Sequence, residues 1–489
     1  MDSLLIDLNV LSVMPVMELI NDYLWTYVVI VLLVFCALFF TIRLRGVQFR
    51  LLRDMWKVIV NRPIHPTPSS ATDHALSSDD AADELKRIGS FQAFAVSLSS
   101  RVGTGNLAGV ASAIFVGGPG AVFWMWVMAI FGAATAFVES TLAQLYKKKG
   151  KKSFYGGPAY YMQSGLHCKW MGVLFAVLIT ITFGMANQVL QSNTLCDALC
   201  DATGVSHMAM GWGLALAVSL IIFGGVRRIS LFSSIVVPIM AVGYILLALL
   251  VTLINIQHVP SMLMLIVENA FGFNQAVGGA VGVAIMQGVK RGLFSNEAGE
   301  GSAPNAAAIA STSHPVKQGL LQALGVFTDT LVICTCTAFI ILLSGLYQQG
   351  YDGIILTKYA LEWHVGPVGG IFITVAIFLF AFSTLIANYF YGETNIRFIT
   401  RQRWVIVLFR IFSGLTVIIG ALISLQTAWT FVDLAMGAMT IVNLVAIILL
   451  SPKVYFLLNN YLSQRRKGQD PQFKRSMMPD TEKDIECWD

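Results

Sequence analysis

Two stretches of the chain hold the residue types from which an ion or a small zwitterion could be bound. They are Ser99-Ser-Arg-Val-Gly-Thr-Gly-Asn106 and Gln287-Gly-Val-Lys-Arg-Gly-Leu-Phe-Ser-Asn-Glu-Ala-Gly-Glu-Gly301. Glycine lets a helix unwind locally. Freed backbone carbonyls can then coordinate a cation, and the N–H groups that open a half-helix favour an anionic group such as a carboxylate. Close helix packing through small residues accounts for Gly278/Gly282 and Gly109/Gly117 without any ligand. It does not account for Arg101, Asn106, Lys290, Arg291, Asn296 and Glu297, each of which is costly in hydrocarbon unless paired or hydrated. The spacing Gly103-Thr-Gly-Asn-Leu-Ala-Gly109 is not GxGxxG and follows no strand, so nucleotide binding is excluded.

The two stretches also match each other. Arg101, Asn106, Ala108, Gly109, Ser112 and Ala113 correspond to Arg291, Asn296, Ala298, Gly299, Ser302 and Ala303 at one offset, 291 − 101 = 190. The remaining ionisable residues at membrane depth, Glu139, Asp329, Glu393 and Asp433, are either proton carriers or partners for Arg101, Arg291 and Arg410, and pairing is the expectation for most of them. Cys334 and Cys336 read as small core residues. Cys196 and Cys200 lie at helical spacing, with no zinc pattern around them.

The elements that position these residues follow from composition. Of 489 residues, 56% are hydrophobic and only 12% charged, about half the charged share of a soluble domain. Such a chain faces lipid and cannot be a soluble enzyme. Its apolar runs approach the roughly 20 residues a spanning helix needs, so the fold class is all-α. Eleven spans are expected, at about 24–42, 90–115, 120–145, 170–196, 211–225, 229–255, 274–311 (interrupted), 319–344, 367–391, 404–424 and 428–450. The acidic N-terminus lacks the basic start of a secretory signal. A net charge of +5 is a matter of loops rather than of nucleic acid. With the N-terminus outside, the loops on the other side collect Arg43 to Arg87, Lys147 to Lys152, Lys169, Arg227, Arg228, Lys317, Arg397 to Arg403 and the tail. The outside loops hold one basic residue, Lys358, as the positive-inside rule requires.

The two glycine-rich stretches lie in the second and seventh spans, five apart in order, so they cross the membrane in opposite directions. That is the pattern of an inverted repeat with its site between paired broken helices. The expected organisation is an outside N-terminus and extra helix (1–45), a cytoplasmic amphipathic segment and linker (46–89), two five-helix repeats (90–256 and 257–451) and a polar cytoplasmic tail without a fold of its own (452–489).

Four motifs carry a resemblance to a known family: Ser-Arg-Val-Gly-Thr-Gly-Asn-Leu-Ala-Gly-Val-Ala (100–111), Gly-Gly-Pro-Gly-Ala-Val-Phe-Trp-Met-Trp (117–126), Gly-Gly-Pro-Ala-Tyr-Tyr (156–161) and Arg-Gly-Leu-Phe-Ser-Asn-Glu-Ala-Gly-Glu-Gly-Ser-Ala-Pro (291–304). They resemble the alanine or glycine:cation symporters of the amino acid-polyamine-organocation superfamily, from about residue 20 to 455. The resemblance implies a fold like that of the bacterial leucine transporter and sodium-coupled, less often proton-coupled, uptake of small neutral amino acids. It implies that backbone amides of Thr104, Gly105 and Asn106 hold the substrate carboxylate. Backbone carbonyls near Ser99 and Val102 would form half of a sodium site, and the stretch Phe380-Ala-Phe-Ser383-Thr384 the hydroxyl half. Oxygen ligands suit such a hard cation, although two adjacent hydroxyls can also bond back to their own helix. Phe294 would wall off large side chains, with Ser295 and Asn296 beside it in the second break. Asn187, Gln188 and Gln191 form an amide-rich stretch on the fourth span, among which the sequence does not choose. Arg101 departs from the fold's pattern, and a guanidinium there would oppose a second sodium beside the substrate.

The implied protein is a monomer, oligomers remaining open, in a bacterial or archaeal plasma membrane with its C-terminus inside. It needs sodium and an amino acid, and no other cofactor. A channel would need a continuous polar pore, and an intramembrane enzyme a nucleophile with a base or metal ligands. Neither rival explains a repeated break related by inversion.

Overall fold

A computed structural model describes residues 14–60, 88–150, 153–223, 225–272, 278–478 and 484–488. The expected linker, Asn61 to Glu84, lies outside the described residues.

The chain is helical nearly throughout because its long Leu, Ile, Val, Ala and Phe runs must satisfy every backbone group within a segment. We label the helices α1 (Met14–Arg43), α2 (Leu52–Val60), α3 (Ser90–Arg101), α4 (Gly105–Gly117), α5 (Gly120–Leu145), α6 (Pro158–Gly165), α7 (Lys169–Thr203), α8 (His207–Ile222) and α9 (Gly225–Ile254). The second half holds α10 (Val259–Phe271), α11 (Gly278–Asn296), α12 (Ala303–Ala308), α13 (Pro315–Ser344), α14 (Gly353–Val365), α15 (Pro367–Ile399), α16 (Arg403–Gly420) and α17 (Leu425–Arg466). Polar caps set several starts: Ser206 accepts from Ala209 N–H before α8, and Ser424 from Thr427 N–H before α17. Among the described residues, the only sheet is a two-stranded hairpin pairing Lys148–Lys149 with Phe154–Tyr155.

Eight of these segments are long and apolar enough to cross a membrane: α1, α5, α7, α9 from Leu231, α13, α15, α16 and α17. The three other expected spans are α8 and the broken pairs α3/α4 and α11/α12. Leu231, Ile235, Ile239, Val242 and Leu246 form an exposed stripe along α9, at the spacing of one helix face turned to lipid.

Helix α5 is the central post, packed between α11 and α13. Small residues make this close approach possible. A Cβ on Gly288 would lie 2.5 Å from Ala121 O, and one on Gly319 2.7 Å from Phe137 O. The extra helix α1 joins the N-terminal half of α17, where buried Trp25 donates to Asp433 O at 3.0 Å.

Three features differ from the sequence reading. First, α10 and α14 are helices where loops were expected, and α6 adds a short helix after the hairpin. Second, α11 runs unbroken through Arg291–Ser295 and unwinds only at Glu297–Ser302. Gly299 and Gly301 there take φ of +99° and +89°, values open to glycine and strained for other residues. Gly292 instead serves as a contact point against Met125. The breaks therefore begin 297 − 102 = 195 residues apart, and the match at offset 190 does not lay break upon break.

Third, the tail is folded against the protein. Phe473 N–H donates to Ser313 O at 2.9 Å and Trp488 Nε1 to Gln144 O at 3.1 Å. Ile485 and Trp488 are buried, and Lys148 pairs with Glu486 at 2.6 Å. A few apolar side chains in a polar stretch suffice to dock it.

Candidate functional site

The first break opens where α3 ends. Val102 leaves helical geometry at φ −79°, ψ +87°, and Gly103 sits where any side chain would collide. Its Cβ would stand 2.4 Å from Thr384 Oγ1 and 3.0 Å from Gln191 Oε1. This glycine lets α7 and α15 approach the break from two sides.

From α15, the buried Thr384 hydroxyl lies 2.8 Å from Ser99 O, 3.0 Å from Phe380 O and 3.3 Å from Val102 O. One hydroxyl has one proton for three carbonyl oxygens, so the cluster carries more acceptor capacity than its donor can fill. Such a set of neutral oxygens fits a hard monovalent cation. Ser383 behaves differently, because its hydroxyl bonds back to Phe380 O at 2.9 Å while its carbonyl accepts from Ser99 Oγ at 3.3 Å. The two adjacent hydroxyls thus split between crossing to the break and folding back onto their own helix. Ser233 on α9, which sequence reasoning missed, donates to Ser99 Oγ at 3.1 Å.

From α7, Gln191 Oε1 accepts from Thr104 N–H at 3.0 Å. Among the three candidate amides this is the one at the break. Gln188 donates away from it, to Leu385 O at 2.9 Å. Asn187 is buried without a hydrogen bond to either break among the described residues.

Asn106 joins the first break to α11 and α13. Its Oδ1 accepts from Gly103 N–H at 2.9 Å, and its Nδ2 donates to Asp329 Oδ1 at 2.6 Å and to Ser295 Oγ at 3.2 Å. Ser295 and Thr330 also donate to Asp329 Oδ2, at 2.5 and 2.9 Å. Asp329 is thus a buried carboxylate held by amide and hydroxyl donors rather than by a cation, as is Glu139, which accepts from Gly299 N–H and Asn443. The expected arginine pairing holds for Asp433, bidentate to Arg291 at 2.9 and 3.0 Å, and for Glu393 with Arg410 at 3.4 Å. Sequence reasoning singled out Asp329 only as a charge at membrane depth. Its place four residues after Gly325, which packs on Arg101, depends on tertiary packing.

Phe294 closes one side of the site. A Cβ on Gly105 would meet its ring at 2.8 Å, and the ring packs edge-on against Trp429 at 4.9 Å. Trp429 in turn lies under Arg291, whose guanidinium carbon is 3.6 Å from the ring centre. Asn296 faces elsewhere, its Oδ1 accepting from Ala298 N–H at 2.9 Å in the turn that follows α11. Arg101 also turns aside: its Nη1 donates to Gln322 O at 3.2 Å.

A family model described as the sodium:alanine symporter family matches residues 11–475. The chain belongs to that family. It is 49% identical over 470 residues to the probable sodium/glutamine symporter GlnT of Bacillus subtilis, covering 96% of this chain and 94% of that one. It is 47% identical over 469 residues to the amino-acid carrier protein AlsT of the same organism, covering 96% of each. Against the sodium/proton-dependent alanine carrier protein of Bacillus sp. strain PS3 the identity is 37% over 420 residues, covering 80% of this chain and 91% of the relative. The crystal structure of MhsT in complex with L-phenylalanine shares the fold, with a TM-score of 0.51 at 15% identity over 73% of this chain and 88% of that one. The protein is an integral membrane secondary active transporter of the leucine-transporter fold, and not an enzyme.

Proposed function

We propose that this transporter imports alanine, glycine or a close analogue, driven by a sodium gradient. The observation that carries the reading is the meeting of Thr384 Oγ1 with the Ser99, Val102 and Phe380 carbonyls, with only Gly103 between Val102 and the Thr104 amide. Sodium takes the oxygen cluster and stiffens the first break. The substrate carboxylate takes the N–H groups at Thr104 and Gly105, displacing Gln191, while Asp329 supplies the complementary negative charge through Asn106 and Ser295. Phe294 against Trp429 limits the side chain to a small one. Because sodium and substrate order the same segment, each raises the affinity for the other, and the doubly loaded state shifts the population toward the inward-facing conformation.

The protein sits in a bacterial or archaeal plasma membrane as a monomer, its N-terminus outside and its C-terminus inside. It uses no organic cofactor. Proton coupling is the second reading, favoured by the name of the strain PS3 relative. Competition for labelled alanine by glycine, glutamine, leucine and D-alanine, with and without sodium, tests the assignment. Alanine and glycine should displace the label only with sodium present. Displacement by leucine at equal concentration would remove the Phe294 wall, and glutamine as the strongest competitor would reassign the substrate. The Hill coefficient for sodium reads the stoichiometry. Arg101, directed to Gln322 O, gives weak electrostatic ground for limiting it to one.

A further inference from the structure

The second break carries a proton-counting problem that sodium and amino-acid binding leave unsolved. Ser302 Oγ lies 2.6 Å from Glu297 Oε2 and 2.9 Å from Glu300 Oε1. A serine hydroxyl has one proton, so it can donate to only one of these oxygens. If both carboxylates were ionised, the other contact would set lone pairs against each other in a buried site. Glu297 already accepts from Ser100 Oγ through its other oxygen, at 2.5 Å. Glu300 Oε2 is buried with no partner among the described residues, which is costly for a carboxylate and cheap for the carbonyl of a neutral acid.

The surroundings point the same way. Glu139, Glu297 and Glu300 are at most 2% exposed. The groups facing the pair are Arg101 from α3, Glu139 from α5, Asp329 from α13, Tyr391 from α15 and, beyond Glu139, Tyr161 from α6. Four carboxyl groups therefore share one guanidinium. Arg101 is itself 1% exposed, and its Nε and Nη2 have no hydrogen-bond partner among the described residues, so it is committed to no single acid. The remaining neighbours, Asn388 and Asn443, are neutral amides.

We propose that Glu297 and Glu300, bridged by Ser302, form a proton-binding site that is occupied in this conformation. The proton sits on one carboxyl, donates to Ser302 Oγ, and leaves Ser302 to donate to the other. It comes from water and returns to water as the site opens, with no other co-reactant. Once it leaves, two carboxylates compete for one hydroxyl at the unwound turn Glu297–Ser302, so proton occupancy favours the closed geometry of the second break. The site is separate from the oxygen cluster at Thr384, and its assignment rests on the transporter reading only in the transport arm of the test.

Infrared difference spectroscopy on the full-length protein in liposomes tests it directly. At neutral pH the carbonyl stretch of a protonated carboxylic acid, shifting in D2O, should be present in the wild type. It should be lost in Glu300→Gln or Glu297→Gln and kept in Glu139→Gln. A band unchanged in both Glu300→Gln and Glu297→Gln overturns the proposal. If those variants fail to fold, Ser302→Ala should change the pH at which the band disappears, and an identical titration overturns it. In the transport arm, uptake should decline at alkaline pH in the wild type by tenfold or more, and Glu300→Gln should flatten that decline. Identical pH profiles count against the site. The band, with no uptake at any pH, would support the proton site and sink only the symporter reading.

Discussion

Thr384→Ala removes the hydroxyl that lies within 2.8–3.3 Å of three buried carbonyl oxygens. In the sodium-bound state it removes one of the cation's oxygen ligands. Without sodium it leaves those carbonyls short of a donor, a cost of about 1–3 kcal/mol for a buried unsatisfied group. Sodium affinity falls by the excess of the bound-state loss over this cost, and an excess of about 1–3 kcal/mol corresponds to roughly a 5- to 150-fold rise in the sodium concentration for half-maximal uptake. Because sodium and substrate share the first break, the apparent alanine affinity should fall at low sodium and recover when sodium is saturating. Thr384→Ser keeps the oxygen and should stay near the wild type. The assay is labelled alanine uptake into proteoliposomes over a sodium series, on protein shown to be monodisperse. An alanine variant that folds yet keeps the wild-type sodium dependence would refute the assignment of this cluster.

Further outcomes follow from the same geometry. Gly103→Ala should abolish uptake while leaving the protein folded, since its Cβ would stand 2.4 Å from Thr384 Oγ1; normal uptake would show that the break does not need this approach. Asp433→Asn strands Arg291 and the nearby Lys290, 3.7 Å from the carboxylate, and should destabilise the protein by about 3–5 kcal/mol. Thermal melting in detergent should show that loss, and adding Lys290→Met should restore part of it. Trp488→Ala should release the docked tail and speed tryptic cleavage at Arg475, whereas an unchanged digestion rate would mean that Trp488 does not hold it.

Hydropathy made the eight long apolar helices legible, because it is summed over many residues. The first break was legible at Gly103 because polar residues flank glycines where lipid should be. The second was misplaced. Identity at offset 190 drew it toward Arg291–Ser295, whereas the chain unwinds at Glu297, Gly299 and Gly301. Gly292 and Gly299 look alike in sequence; one is a packing contact and the other a left-handed turn, and only tertiary structure separates them. The same limit applies to Gln191, whose choice over Gln188 and Asn187 depends on which face of α7 meets the break. Helix α14 escaped notice because its Lys358 and Glu362 make it read like a loop. The tail escaped because Phe473, Ile485 and Trp488 are scattered among polar residues.

Uptake of labelled alanine and glycine into proteoliposomes bearing an inward sodium gradient, an inward proton gradient or neither decides the matter most directly. Accumulation above equilibrium under the sodium gradient, abolished when that gradient is collapsed, is the expected result. Equilibration at the same level under all three conditions would contradict sodium-driven symport.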